Sequence, residues 1–99
     1  MTVNFQYVNT DVSETLSAYI QERLEKLSHK NEFLISAQVY VKHDDKDHNA
    51  GKICNIELSL PGPRIYATSN ESTYEAAVNE TIRDLQKQLK KRKDTYKVY

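Results

Sequence analysis

Three sets of side chains in this 99-residue sequence are of types that could do chemistry. The first is the run His43, Asp44, Asp45, Asp47 and His48, whose imidazoles and carboxylates are ligand types for zinc or manganese. Asp45, Asp47 and Asn49 also imitate the opening of a calcium loop. Ala50, however, stands where that loop needs its sharp-turn glycine, and Ile56 where it needs a bidentate glutamate. The run therefore reads as a flexible, solvated hairpin loop, with no metal expected. The second is the lone Cys54, which can form neither an internal disulfide nor a thiolate zinc cluster and is expected to be a buried structural thiol. The third is cationic: Lys87, Lys90, Lys91, Arg92, Lys93 and Lys97 fall in a closing stretch whose one acid is Asp94.

The chain as a whole carries no net charge, yet residues 83–99 hold seven Lys or Arg against two Asp, while residues 1–82 hold seven against twelve acids. Such an asymmetry points the basic end toward a polyanionic partner. Catalysis is not expected. There is no Gly-rich phosphate loop, no Gly-x-Ser-x-Gly elbow and no His-Glu-x-x-His, only two glycines to allow close ligand approach, and no Ser/His/Asp spacing that marks a triad. No cofactor and no small-molecule substrate are implied. No apolar run reaches the roughly 18 to 20 residues of a spanning helix, and MTVNFQYVN lacks the blocks of a signal peptide, so the cytosol is the expected compartment and no membrane partner is expected. The sequons at Asn70 and Asn79 carry no weight there.

The cations need elements to position them. VNFQYV alternates Val3, Phe5 and Tyr7 against Asn4 and Gln6, the pattern of a half-buried strand. Asp11 and Ser13 offer helix N-caps, with Glu14 placed to complete a capping box from Asp11. Leu16, Ile20, Leu24 and Leu27 then predict an amphipathic helix over 13–29. Residues 35–42 alternate Ile35, Ala37, Val39 and Val41; residues 52–60 alternate Cys54, Ile56, Leu58 and Leu60. Pro61, Gly62 and Pro63 predict a type II turn into the partner strand RIYATS. From Ser72, Tyr74, Ala77, Val78, Ile82, Leu85 and Leu89 hold a helical stripe to about Lys93, with Tyr74 assigned to the core.

The expected fold is α+β, in the order β-α-β-β-β-α: a four-stranded sheet with two helices packed on one face, akin to a double-stranded-RNA-binding domain. The first strand should run parallel to the second through a helical crossover, and strands two to four should form an antiparallel meander. Arg83, Lys87, Lys90 and Lys91 fall within roughly 100° of the second helix, nearly opposite its apolar stripe. Cations near a helix C-terminus are favoured by the macrodipole, which explains part of this row but not all of it. With the helices side by side, Arg23, Lys26 and Lys30 share a surface with Arg83 to Arg92, forming a two-helix basic groove suited to a nucleic-acid backbone. The expected site is thus Arg23, Lys26, Lys30, Arg83, Lys87, Lys90, Lys91 and Arg92.

With this order of elements, residues 3–94 resemble the short ribosome hibernation promoting factors, also called ribosome-associated inhibitor or sigma factor modulation proteins. The carriers are DVSETLSAYIQERLEKL, ISAQVYV, LSLPGPRIYATS and AAVNETIRDLQKQLKKRK. The family's basic positions on the first helix fall on Arg23 and Lys26, and its Arg-Gln-Leu-x-Lys ending is matched by Lys87, Gln88, Leu89 and Lys91. Two positions depart from the pattern: Asp84 stands where a lysine is common, with Arg83 beside it, and Glu75 replaces a tyrosine, with Tyr74 one position earlier.

The resemblance implies a single ribosome-binding domain over 1–94, with 95–99, including Tyr96 and Tyr99, a loose end. It implies a protein that binds 16S rRNA in the decoding channel of the small (30S) subunit, blocks messenger RNA and A- and P-site tRNA, and idles the ribosome in stationary phase. The length fits the short type that promotes inactive ribosome dimers (100S), monomeric when free. The competing reading is a protein-interaction module that modulates a transcription (sigma) factor.

Overall fold

The structure is a computed structural model that describes residues 1–96. Six elements follow in chain order: β1 (Thr2–Val8), α1 (Glu14–Lys30), β2 (Ser36–His43), β3 (Lys52–Ser59), β4 (Ile65–Glu71) and α2 (Tyr74–Tyr96). The strands form one sheet in the order β1-β2-β3-β4, with β1 parallel to β2 and the other pairs antiparallel. This is the expected α+β architecture.

Alternation in the sequence becomes layering in space because successive strand side chains leave opposite faces of the sheet. One face carries the rows Val3-Ala37-Leu58-Ile65, Phe5-Val39-Ile56-Ala67 and Tyr7-Val41-Cys54-Ser69. The helices cover it with Ile20, Leu24 and Leu27 from α1 and Ala77, Val78, Ile82, Leu85 and Leu89 from α2, all buried. Each fully buried Leu or Ile contributes about 1.5 to 3 kcal/mol relative to exposure, so this single layer is what holds the helices on the sheet. The opposite face is polar, with rows such as Asn4-Gln38-Glu57-Tyr66 and Gln6-Tyr40-Asn55-Thr68.

Local chemistry sets the helix ends. Ser13 is the N-cap of α1: its backbone is extended, at φ −119°, and its Oγ accepts from the Leu16 N–H at 3.2 Å. The capping box expected from Asp11 is not formed, because α1 starts at Glu14, two residues too late for Asp11 to be its N-cap. At the other end the Asn31 N–H donates to Ser28 O and its Nδ2 to Leu27 O at 2.9 Å, ending the helix. Thr73 caps α2, its Oγ1 accepting from Ala76 N at 3.1 Å. That helix runs to Tyr96, beyond the expected end near Lys93, so Thr95 and Tyr96 are helical; residues 97–99 of the expected loose end lie outside the described residues.

Other expectations change in detail. Ile35 was grouped with the inward row, but it precedes β2 and is 57 % exposed. Its N–H donates to Ser59 O, and Leu34 and Leu60 are buried at that end of the core. Tyr74 packs against the core while remaining half-buried; its hydroxyl is shielded with no hydrogen-bond partner among the described residues, and Lys52 Nζ lies 5.5 Å from its ring centroid. Gly62 takes the positive φ, 93°, that the Pro61-Gly62-Pro63 turn demands.

The acidic loop between β2 and β3 is not loose. Asp44 N donates to Gly51 O, Asn9 Nδ2 bonds His43 O and Asp45 Oδ2, and Asn70 Oδ1 accepts from Gly51 N at 2.6 Å. Among the described residues, no group of three or more His, Cys, Asp or Glu converges to hold a metal ion, and no helix is long and apolar enough to cross a membrane.

Candidate nucleic-acid interface

The chain path brings both helix C-termini to the same end of the sheet. α1 runs back from the end of β1 to the start of β2, and α2 runs back from the end of β4. The negative ends of two helix dipoles therefore lie together, beside the β3–β4 turn, and favour the cations gathered there. The acidic β2–β3 loop lies at the opposite end.

Between the helices is an open groove of roughly 470 Å³. α1 contributes Arg23, Lys26 and Lys30 to its wall, and α2 contributes Gln86, Lys90 and Lys93. Leu27, Ile82 and Asn31 complete the lining. The helices are registered against each other by Tyr19, whose hydroxyl donates to Asn79 Oδ1 at 2.6 Å, and by Lys93, whose ammonium donates to the last helical carbonyl of α1, that of Lys30.

The groove cations are available for an anion. Among the described residues no acid lies within ion-pair distance of Arg23, Lys30 or Lys90. Lys26 meets Glu22 at 3.4 Å, but both side chains are about two-thirds exposed, and an i,i+4 pair of that kind contributes only a few tenths of a kcal/mol. Phosphate can displace it at little cost.

The structure divides the residues expected to form one face. Arg23, Lys26, Lys30 and Lys90 line the groove. Arg83, Lys87 and Lys91 are exposed on the outer ridge of α2, about 100° further round the helix, and Arg83 is paired with Glu80. Arg92 turns to the far flank, where its guanidinium donates to Pro61 O at 3.3 Å and to Pro63 O at 2.8 Å. It braces the β3–β4 turn. Lys93 was absent from the expected site, although the 3.6-residue period carries Ile82, Gln86 and Lys90 on to it; that period was the signal available.

Cys54 belongs to the core and not to the site. Burial pushes its thiol up from 9.0 to about 11, only partly offset by hydrogen bonding with Thr81, so it is neutral and unreactive at physiological pH.

Comparison with known proteins identifies the group to which this arrangement belongs. Residues 3–97 match the family described as sigma 54 modulation protein / S30EA ribosomal protein. The chain belongs to this family. A ribosome hibernation promotion factor from Deinococcus radiodurans is 26% identical over 89 residues, covering 89% of this chain and 47% of that protein. The chain thus spans about half the length of that relative. Among solved structures, a ribosomal subunit interface protein from Coxiella burnetii superimposes with a TM-score of 0.85 at 19% identity, covering 95% of this chain and 99% of that one. The N-terminal domain of Thermus thermophilus Protein Y gives 0.77 at 18% identity, over 92% and 98% of the two chains. These two likenesses show a shared fold.

Proposed function

We propose that this S30EA-family protein is a ribosome hibernation factor that binds 16S rRNA in the decoding channel of the small subunit and acts by occupancy, without catalysis. The observation that carries the reading is the cationic groove, in which Arg23, Lys26 and Lys30 of one helix face Lys90 and Lys93 of the other. Lys and Arg side chains in a groove grip phosphate without reading sequence, and folded RNA is then selected by shape. Lys87 and Lys91 on the neighbouring ridge extend the cationic surface outward. Family membership and the name of the Deinococcus radiodurans relative support a ribosomal partner over a small molecule.

In this mechanism the domain fills space that messenger RNA and the A- and P-site tRNAs require, and its cations replace the counterions of the channel wall. The ribosome is held idle in stationary phase, and inactive dimers (100S) form from the blocked particles. The protein acts as a monomer in the cytoplasm.

Sedimentation tests this reading. The protein should travel with small subunits through a low-salt sucrose gradient, and translation in a reconstituted system should fall as the subunits become occupied. Protein that stays at the top of the gradient while still binding an isolated sigma factor would instead support a transcription-factor modulator.

A further inference from the structure

The two edges of the sheet are treated differently. Along β4, Gln88 of α2 donates to the outward carbonyl of Tyr66 at 2.9 Å, and Arg92 covers the adjoining turn. Along β1 nothing comparable occurs. Thr2 N donates to Ile35 O of the neighbouring strand's approach, so in this parallel ladder residues 2, 4, 6 and 8 direct their backbone groups to β2. Val3, Phe5 and Tyr7 consequently aim three N–H and three C=O groups outward, with no partner for them among the described residues.

An open edge is ordinarily blunted by charge, proline or a bulge. β1, TVNFQYV, has no charged residue and no proline, and it pairs with β2 in unbroken register from Thr2 to Val8. It is shaped to accept another strand.

The surroundings specify which strand. At the Met1 end of β1, on the flank of α1 turned away from the groove, a second depression of roughly 360 Å³ is lined by Met1, Glu25, Ser28, His29 and Glu32. The helical period adds Glu14 to the same flank. The α1 cations Arg23, Lys26 and Lys30 all face the other way, into the groove. A second copy of this chain fits poorly, since β1 itself carries no charge and a two-fold antiparallel pairing of the edges would set Glu25 and Glu32, at the Met1 end of one copy, toward the Val8 end of the other, where Glu14 begins α1.

We propose that the β1 edge is a docking site for an extended cationic segment of a protein partner, which adds as a fifth strand beside β1. Its backbone bonds Val3, Phe5 and Tyr7. Alternate side chains of the added strand, about 6.8 Å apart, project to the helix side, so Lys or Arg at every second position meets Glu25 and Glu32. The site lies on the far side of α1 from the RNA groove, so both can be filled at once.

Amide exchange on the ¹⁵N-labelled full chain tests this, with two acetylated, amidated probe peptides of one composition: Lys-Thr-Lys-Thr-Lys-Thr-Lys, and Lys-Lys-Thr-Thr-Lys-Lys-Thr, whose lysines are blocked in pairs so that no two are two positions apart. The alternating peptide should protect the amides of Val3, Phe5 and Tyr7, and the blocked one should not. Glu25→Gln with Glu32→Gln should weaken the alternating peptide about fivefold to tenfold, the loss of two exposed charge pairs, at unchanged thermal stability. Arg23→Gln with Lys90→Gln should leave it unaffected. Equal responses to both peptides, or responses centred on Asp44 to Asp47, would overturn the proposal. Protection that appears without peptide and rises with protein concentration would overturn it in favour of a second copy.

Discussion

Arg23 and Lys90 reach into the groove from different helices, and neither has an acid partner among the described residues. Replacing both by glutamine removes two charges while keeping length and polarity, and neither belongs to the buried core, so the fold should persist. If each of the five groove cations neutralises one phosphate, the slope of log Kd against log salt is about 3.5 to 4.5. A rise from 50 to 200 mM salt then weakens wild-type binding by about 130- to 500-fold. With three cations left, the slope falls to about 2.1 to 2.7 and the same rise costs only about 20- to 40-fold. Lys87 and Lys91, if they also sit on phosphates, raise the wild-type slope to about 4.9 to 6.3, and Lys87→Gln with Lys91→Gln reports their share separately. The assay is fluorescence anisotropy of labelled protein titrated with purified small subunits across a KCl series at fixed magnesium. An unchanged slope in the Arg23/Lys90 variant would refute the assignment of phosphate to the groove, and a flat slope in the wild type would refute electrostatic RNA binding altogether.

Three further outcomes follow from the packing. The Cys54 thiol is held at about 11 in the fold against 9.0 unperturbed, so the folded state keeps a proton that the unfolded state releases. The stability this represents is intact below pH 9 and is lost as pH rises toward 11, by about 2 to 3 kcal/mol; urea denaturation of wild type against Cys54→Ala should show this extra alkaline loss in the wild type alone. Arg92→Ala should cost about 1 to 3 kcal/mol by removing the charged hydrogen bonds to Pro61 O and Pro63 O, while lowering the salt slope less than the Arg23/Lys90 variant does. Gly51 has φ +101°, and a Cβ there would lie 2.6 Å from Asp44 O, so Gly51→Ala should release the β2–β3 loop and increase amide exchange at Asp44 and Asp47 without changing ribosome binding.

The fold was legible because each strand and helix announces its period: Val3, Phe5 and Tyr7 alternate, and Leu16, Ile20, Leu24 and Leu27 recur at helical steps. The candidate groove was legible in outline as geometry, since the two cationic rows could be placed once the helices were known to share a face. What escaped the sequence depends on where chain segments end up in space. Arg92 looks identical to its basic neighbours until the Pro61-Gly62-Pro63 turn is brought beneath it, and Lys93 looks like a helix tail until the carbonyl of Lys30 is brought within its reach. Ile35 continues the strand alternation, yet it precedes β2 and is exposed while Leu34 beside it is buried. For the two cations a long-range neighbour, and not local preference, decides what the side chain does.

The central claim is that the groove between α1 and α2 is the surface laid against small-subunit rRNA. Cys54 is buried, so a cysteine introduced at Gln86, which lines the groove, provides an accessible site for an iron chelate that cleaves nearby RNA. A matching cysteine at Thr68, exposed on the polar face of the sheet, is the control. Hydroxyl-radical cleavage from Gln86→Cys should cluster in the 16S rRNA of the decoding channel and greatly exceed that from Thr68→Cys. Strong cleavage from Thr68→Cys with none from Gln86→Cys, or cleavage from Gln86→Cys confined to RNA outside the channel, would contradict the account.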